Sequence, residues 1–256
     1  MSANDPSRNP VAYKDEEFLD SDDARPLRIL AEYLEPMYAF HRERICDTIV
    51  FFGSARITPD GPLGRYYDDA RELARRVAVW SASLPADAHK YVVCTGGGAG
   101  IMEAANRGAA DAGGKTIGLN IGLPQEQRPN RYLTRELTFE FHYFFMRKLW
   151  FAHLARALVV FPGGFGTLDE LFEILTLMQT RKIERQIPIV LYGSKYRNEI
   201  LNFDALVRHG MIDREDLGLF RFADDPASAL DILKTGIEAE WKQATPSIAH
   251  SRTAES

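Results

Sequence analysis

The chain has 256 residues, 45% of them apolar, which is enough for one large α/β core in a globular protein. Its formal net charge of −5 argues against a nucleic-acid-binding face, which needs a surplus of Lys and Arg. Two cysteines without metal-ligand spacing, and no apolar run of membrane-spanning length, exclude a disulfide framework, a metal module and a spanning helix; they point to a reducing, cytoplasmic setting.

Residues 1–22 are polar and acidic with several prolines, and they read as a disordered tail without the apolar segment of a signal peptide. One domain is then expected over 23–244, followed by a second disordered tail at 245–256. Helical spacing runs from Arg28 to His41, through Leu30, Tyr33, Leu34, Met37 and Tyr38. Thr48–Phe52 is a short buried strand ending at Gly53. A helix follows over Arg65–Trp80, and Tyr91–Cys94 is a strand ending in Thr95 and three glycines. Next come a small-residue helix over Ile101–Ala112, a strand over Thr116–Asn120, a short strand over Leu137–Phe141 and a helix over Tyr143–Leu154. Ala157–Phe161 is a strand, Thr167–Thr180 a helix and Ile187–Tyr192 a strand. Helices near Arg197–His209 and Ala227–Trp241 complete the chain. Alternating elements with continuous Val/Ile/Leu strands predict a parallel sheet covered on both faces: a Rossmann-like, doubly wound, three-layer α/β/α domain.

Three of these strands end in small, turn-forming residues: Phe51–Arg56 (FFGSAR), Cys94–Met102 (CTGGGAGIM) and Phe161–Thr167 (FPGGFGT). Glycine lets backbone N–H groups approach a ligand, and the helix that follows each loop favours an anion at its start. The carboxyl edge of such a sheet is where open α/β folds bind ligands, so three loops there predict a phosphate cradle. Neither dinucleotide fingerprint nor P-loop fits. From Gly96 the sixth residue is Ile101, and Gly113-Gly114-Lys115-Thr116 lacks the upstream glycine, which is Ala109, and leads into a strand. Thr167-x-x-Glu170 by itself also has the form of a capping box, in which Glu170 would serve only the helix start.

Taken together, TGGGAGIM and Pro162–Glu170 (PGGFGTLDE) resemble the LOG ("Lonely Guy") family of cytokinin riboside 5′-monophosphate phosphoribohydrolases, formerly described as lysine decarboxylases. The family hallmark P-G-G-x-G-T-x-x-E fits without a gap, and the resemblance extends from about Thr48 to Leu233. Three departures place the chain in a longer subgroup, one being a helix before Thr48 that is typical of longer homologues. Its glycine-rich loop is one residue shorter than the family's short members have it, and Met146 directly precedes Arg147-Lys148 while position 144 is Phe.

The resemblance implies hydrolysis of the N-glycosidic bond of a nucleoside 5′-monophosphate, releasing a free base (cytokinin or adenine) and ribose 5-phosphate. It makes Arg147 and Glu170 the catalytic residues. Substrate would be held by Ser54, Gly97, Gly98, Met146, Lys148, Gly163, Gly164, Gly166, Thr167 and Glu173, with no metal and no cofactor. The helix start beside Glu170 is expected to keep its carboxylate ionised. Partners are expected to be a small nucleoside monophosphate and a second copy of the chain, in a homodimer or higher homo-oligomer, with no nucleic acid and no membrane. The aromatic segment His142–His153 is expected in or near that subunit boundary. The competing expectation is a non-catalytic carrier of a phosphorylated ligand such as molybdenum cofactor, which related folds bind.

Overall fold

A computed structural model describes residues 10–85, 90–122 and 128–244. The order of elements is α1 (Glu16–Asp20), α2 (Arg25–Glu43), β1 (Asp47–Phe52), α3 (Gly64–Ser83), β2 (Tyr91–Thr95), α4 (Ile101–Asp111), β3 (Thr116–Ile121), β4 (Thr138–Phe141), α5 (Phe144–Leu154), β5 (Ala155–Val160), α6 (Phe165–Gln179), β6 (Ile189–Tyr192), α7 (Ser194–Ile200), α8 (Phe203–Arg208), β7 (Phe220–Ala223) and α9 (Pro226–Ala244). The seven strands form one all-parallel sheet in the order β4-β3-β2-β1-β5-β6-β7.

Every residue of β1 is buried, as a central strand covered on both faces requires. Successive side chains point to opposite faces. Val50 and Phe52 therefore pack with Leu158, Val160, Trp150 and Leu171 on one side of the sheet. Ile49 and Phe51 pack with Val159, Phe161, Leu73 and Leu233 on the other. This gives the three-layer, doubly wound arrangement expected from the alternation.

The chain starts at β1 and winds outward to β4, then returns to β5 on the other side of β1. The carboxyl ends of β1 and β5 are thus the point where strand order reverses, the place where such sheets open a crevice. Phe161 N donates to Phe52 O (2.8 Å) and Ser54 N to Pro162 O (3.0 Å), so the two loops leave the sheet pinned together.

Four elements differ from expectation. Within the expected tail, Asp15 caps α1 by accepting from Phe18 N, and Arg28 Nη1 donates to the carbonyls of Leu19 and Ser21. That local network orders residues which composition alone reads as unstructured. The remainder of the expected tails, 1–9 and 245–256, lies outside the described residues. The helix expected over 197–209 is two helices, because Asn202 accepts from Ala205 N (2.9 Å) and starts α8 afresh. Strand β7 was not read from the sequence; only Phe220 and Ala223 of its four residues are buried, so it carries little apolar signal. Helix α6 begins at Phe165, two residues before the expected start.

Candidate active site

The early start of α6 redefines its first residues. Gly164 is the N-cap and makes no side-chain cap, and Leu168 N donates to Gly164 O as the first helical bond. The N–H groups of Phe165, Gly166 and Thr167 belong to the first turn and have no intrahelical partner. Thr167 lies inside the helix, so Thr167-x-x-Glu170 is not a capping box, and Glu170 sits in the second turn with its side chain free for another role.

A cleft of about 750 Å³ opens at the strand-order reversal. Its walls are Phe52–Arg56 from the β1 loop, Gly96 and Met102 from the β2 side, Arg147 and Phe151 from α5, Gly163 and Gly164 from the β5 loop, Phe165–Leu168 and Glu170 from α6, and Tyr196 and Ile200 from α7. A recess of about 290 Å³ adjoins it, sharing Ser54, Arg56, Gly163, Gly164 and Tyr196. Two glycines are required by close approach. A Cβ on Gly163 would lie 2.2 Å from Thr167 Oγ1, and one on Gly100, at φ +66°, would lie 2.3 Å from Ser54 O. The second contact lets Ile101 N donate to Ser54 O (3.1 Å), which ties the β2 loop to the β1 loop.

Arg147 and Glu170 meet in the cleft wall. Arg147 Nη2 donates to Glu170 Oε1 at 3.0 Å, with Glu170 only 5% exposed. The guanidinium also lies over the rings of Phe144 (5.2 Å) and Phe151 (5.7 Å), and its Nε is buried without a hydrogen-bond partner. Burial pushes the Glu170 carboxyl up to about 7, against the pull of Arg147 and Lys148. Burial likewise lowers Arg147, but a guanidinium keeps its proton, so Glu170 is the member of the pair that titrates. This corrects the expectation that the helix start keeps Glu170 ionised: the dipole fades beyond the first turn, and desolvation wins.

Ser54, Gly163, Gly164, Gly166 and Thr167 line the cleft together with Arg147 and Glu170. Five other expected substrate contacts do not. Gly97 and Gly98 are buried, and their carbonyls accept from Asn130 Nδ2 at 3.1 and 3.0 Å; Gly96 faces the cleft instead. Met146 is buried in the core beneath α5. Lys148 Nζ pairs with Asp169 (2.8 Å) and Glu173 (2.9 Å), a second ion group that ties α5 to α6 outside the cleft lining. Burial works against the charge on Lys148, yet these two carboxylates hold its pKa above the ordinary value.

Several supporting residues were not anticipated. Asn130 also donates to Asn106 Oδ1 (2.9 Å), which accepts from Thr95 Oγ1 (2.7 Å). The signal available in the sequence for Asn106 was an Asn among the small residues of α4; the structure shows it fully buried. Glu32 of α2 accepts from the N–H groups of His142 (2.7 Å) and Tyr143 (3.2 Å), and its carbonyl from Trp150 Nε1 (3.1 Å), so α2 holds the start of α5. Tyr196 donates its hydroxyl to Gly163 O at 3.0 Å. Among the described residues, no three His, Cys, Asp or Glu side chains gather as metal ligands, and no helix is long and apolar enough to cross a membrane.

Comparison with known proteins places this geometry in a family context. The sequence family described as "Possible lysine decarboxylase" matches residues 102–233. The cytokinin riboside 5′-monophosphate phosphoribohydrolase LOG4 of Arabidopsis thaliana is 31% identical over 173 residues, covering 66% of this chain and 71% of that protein. The probable enzyme of the same name from Oryza sativa subsp. japonica is 28% identical over 141 residues, covering 54% of this chain but 60% of that protein, less than two thirds of its length. Among solved structures, the Moco carrier protein of Chlamydomonas reinhardtii superposes with a TM-score of 0.50 at 22% identity, covering 75% of this chain and 98% of that one; the likeness is one of fold.

Proposed function

Because the chain belongs to the family described as "Possible lysine decarboxylase", which takes in the LOG phosphoribohydrolases, we propose that it hydrolyses nucleoside 5′-monophosphates to a free base and ribose 5-phosphate. The observation that carries this reading is the buried Arg147–Glu170 pair set beside a glycine loop at the strand-order reversal. The 5′-phosphate lies against the first-turn amides of α6, with the Thr167 hydroxyl as a further donor. The sugar then sits over Glu170. As the bond between C1′ and the base nitrogen lengthens, positive charge builds on the ribose ring, and a fixed carboxylate beside it is worth most at that moment.

Glu170, poised near neutrality by burial, accepts a proton from the attacking water as the water oxygen bonds to C1′. The bonding pair leaves with the base, which takes up a proton, so the sum is nucleotide plus water to base plus ribose 5-phosphate. Arg147 holds Glu170 in place and orients the nucleotide without giving up a proton. The base lies among Phe52, Met102, Phe151 and Ile200, apolar groups that suit adenine or an N6-substituted adenine. Lysine decarboxylation by pyridoxal phosphate would need a lysine in the cleft; among the described residues none lines it, and Lys148 is engaged with Asp169 and Glu173.

The active unit is proposed to be a homodimer. Phe144, Phe145 and Leu149 on α5 and Leu30, Leu34 and Tyr38 on α2 are exposed apolar groups on neighbouring helices, an association surface by composition. The cytoplasm is the proposed setting, in keeping with two free thiols, Cys46 and Cys94.

Incubation of the full chain with AMP and with isopentenyladenosine monophosphate, with Glu170→Gln as control, tests the reaction. Free base and ribose 5-phosphate should appear with the wild type, and roughly 100- to 1,000-fold more slowly with the variant. No base from a folded wild-type sample that instead retains a pterin would replace the enzyme by a carrier.

A further inference from the structure

Behind the glycine loop lies a charge that the proposed reaction leaves unused. Arg197 of α7 is the largest fully buried side chain of the described residues, at 0% exposure. Its Nη2 donates to Val160 O (2.9 Å) and Phe161 O (2.7 Å), the two carbonyls that precede Pro162. Its Nε and Nη1 are buried without a hydrogen-bond partner, and no carboxylate among the described residues pairs with it.

Such an arrangement is costly. A buried cation is ordinarily retained with a counter-ion, because neither water nor a neighbour otherwise repays its desolvation. The same protein shows the ordinary solution at Arg156, which lies between Asp47 and Glu240. Pinning two carbonyls does not by itself require a full charge, since a neutral donor does the same. The location supplies the missing partner. The guanidinium holds the carbonyls of the last residue of β5 and the one after it, the two residues that lead into Pro162-Gly163-Gly164, and the adjacent Tyr196 lines the cleft and donates to Gly163 O.

We propose that Arg197 is the buried counter-charge of the phosphate at the glycine loop, a positioning residue that strengthens anion binding from beneath without touching the ligand. The inference rests on the reading that this loop holds phosphate. It goes beyond that reading in placing the compensating positive charge inside the fold rather than on the cleft surface. Burial lowers the Arg197 pKa to about 10, which still leaves the side chain charged at neutral pH.

The test measures binding rather than turnover. Calorimetric titration of the full chain with ribose 5-phosphate and with inorganic phosphate is compared for wild type, Arg197→Lys and Arg197→Gln. Both replacements can donate to the carbonyls of Val160 and Phe161, but only lysine carries charge. The lysine variant should stay within about threefold of wild type, and the glutamine variant should bind roughly 10- to 100-fold more weakly. Wild-type affinity in the glutamine variant, or equal losses in both variants, overturns the proposal.

If the glutamine variant does not fold, the lysine variant decides alone. A buried ammonium gives up its proton at lower pH than a guanidinium. Its ribose 5-phosphate affinity should therefore fall more steeply between pH 7 and 9 than that of the wild type, in which Glu170 titrates but Arg197 keeps its charge, and matching pH profiles overturn the proposal. A wild type that binds ribose 5-phosphate yet cleaves no nucleotide removes the proposed reaction and leaves the buried charge standing. One that cleaves nucleotides while Arg197→Gln binds normally does the reverse.

Discussion

Replacing Glu170 by glutamine should alter how stability depends on pH as well as how fast base is released. Burial lifts the carboxyl from its ordinary 4.5 to about 7 in the folded chain. Between those values the folded state keeps a proton that the unfolded chain has released. Stability therefore falls as pH rises through that window and levels off above it. The difference from 4.5 to about 7, at about 1.4 kcal/mol per pH unit, makes the penalty about 3 kcal/mol. At 5% exposure the group is too deep for solvent to screen much of this. Arg147 is already included in the balance, since the shift remains upward in its presence. Glutamine has no proton to lose, so the advantage of the variant should be small at pH 5, about 1 kcal/mol, and grow to about 3 kcal/mol at pH 9. Urea unfolding of both proteins at pH 5, 7 and 9 measures this. A constant difference across that range would mean that Arg147 fully compensates the burial and that Glu170 titrates as an ordinary carboxylate, which would refute the reasoning.

Three further outcomes follow from the contacts. Gly163→Ala places a Cβ 2.2 Å from Thr167 Oγ1, whereas Gly164→Ala meets nothing within 4 Å. The first should lower kcat/KM for AMP by about tenfold or more while the second leaves folding unchanged, as steady-state kinetics and thermal melting will show. Glu32→Gln weakens the hold of α2 on the start of α5 and should cost about 1–2 kcal/mol in urea unfolding, with a fall in kcat because α5 carries Arg147. Phe145→Glu puts a charge on the exposed face of α5 and should shift the chain from the proposed dimer to a monomer in light scattering while circular dichroism shows the fold kept, since that side chain is half exposed in the single chain.

Much of the fold was legible because the central strands are buried on both faces and so appear as unbroken apolar runs: β1 and β5 carry Ile49–Phe52 and Ala157–Val160. Edge strand β7 was not, since its alternation puts Arg221 between its aromatic residues and nothing in four residues separates it from a loop. In the site, the glycine loop was legible from its short-range pattern, whereas Arg147 and Glu170 were singled out only by the family resemblance, since spacing alone read Glu170 as a capping residue. The residues that hold them in place were not. Glu32 meets His142 across 110 positions, Asn130 meets Gly97 across 33, and Arg197 meets Val160 across 37. Each is one polar side chain in an otherwise ordinary helix or loop, and only the topology of the sheet brings it to its partner. The start of α6 escaped for a local reason: Gly166 reads as loop, yet it lies in the first helical turn, which is what moves Thr167 into the helix and frees Glu170 from capping.

Arg156 and the cleft arginines use buried charge in different ways. At the amino end, Arg156 is set between Asp47 and Glu240, with Trp241 over its guanidinium at 5.0 Å, so the ions compensate one another within the fold. At the carboxyl end, Arg147 has one carboxylate and an unpartnered Nε, that carboxylate is held near its titration point, and Arg197 has no anion at all. The first arrangement pairs its cation with two carboxylates, although Glu240 Oε2 is left without a partner; the second leaves cations short of anions. Such a shortfall costs stability in the empty protein and recovers it when an anionic ligand arrives, which makes ligand binding and folding draw on the same charges. Ribose 5-phosphate should therefore raise the melting temperature of the wild type more than that of Arg197→Gln, while mutations around Arg156 leave that increment unchanged. An equal increment in both would place the unpaired charge outside the binding equilibrium.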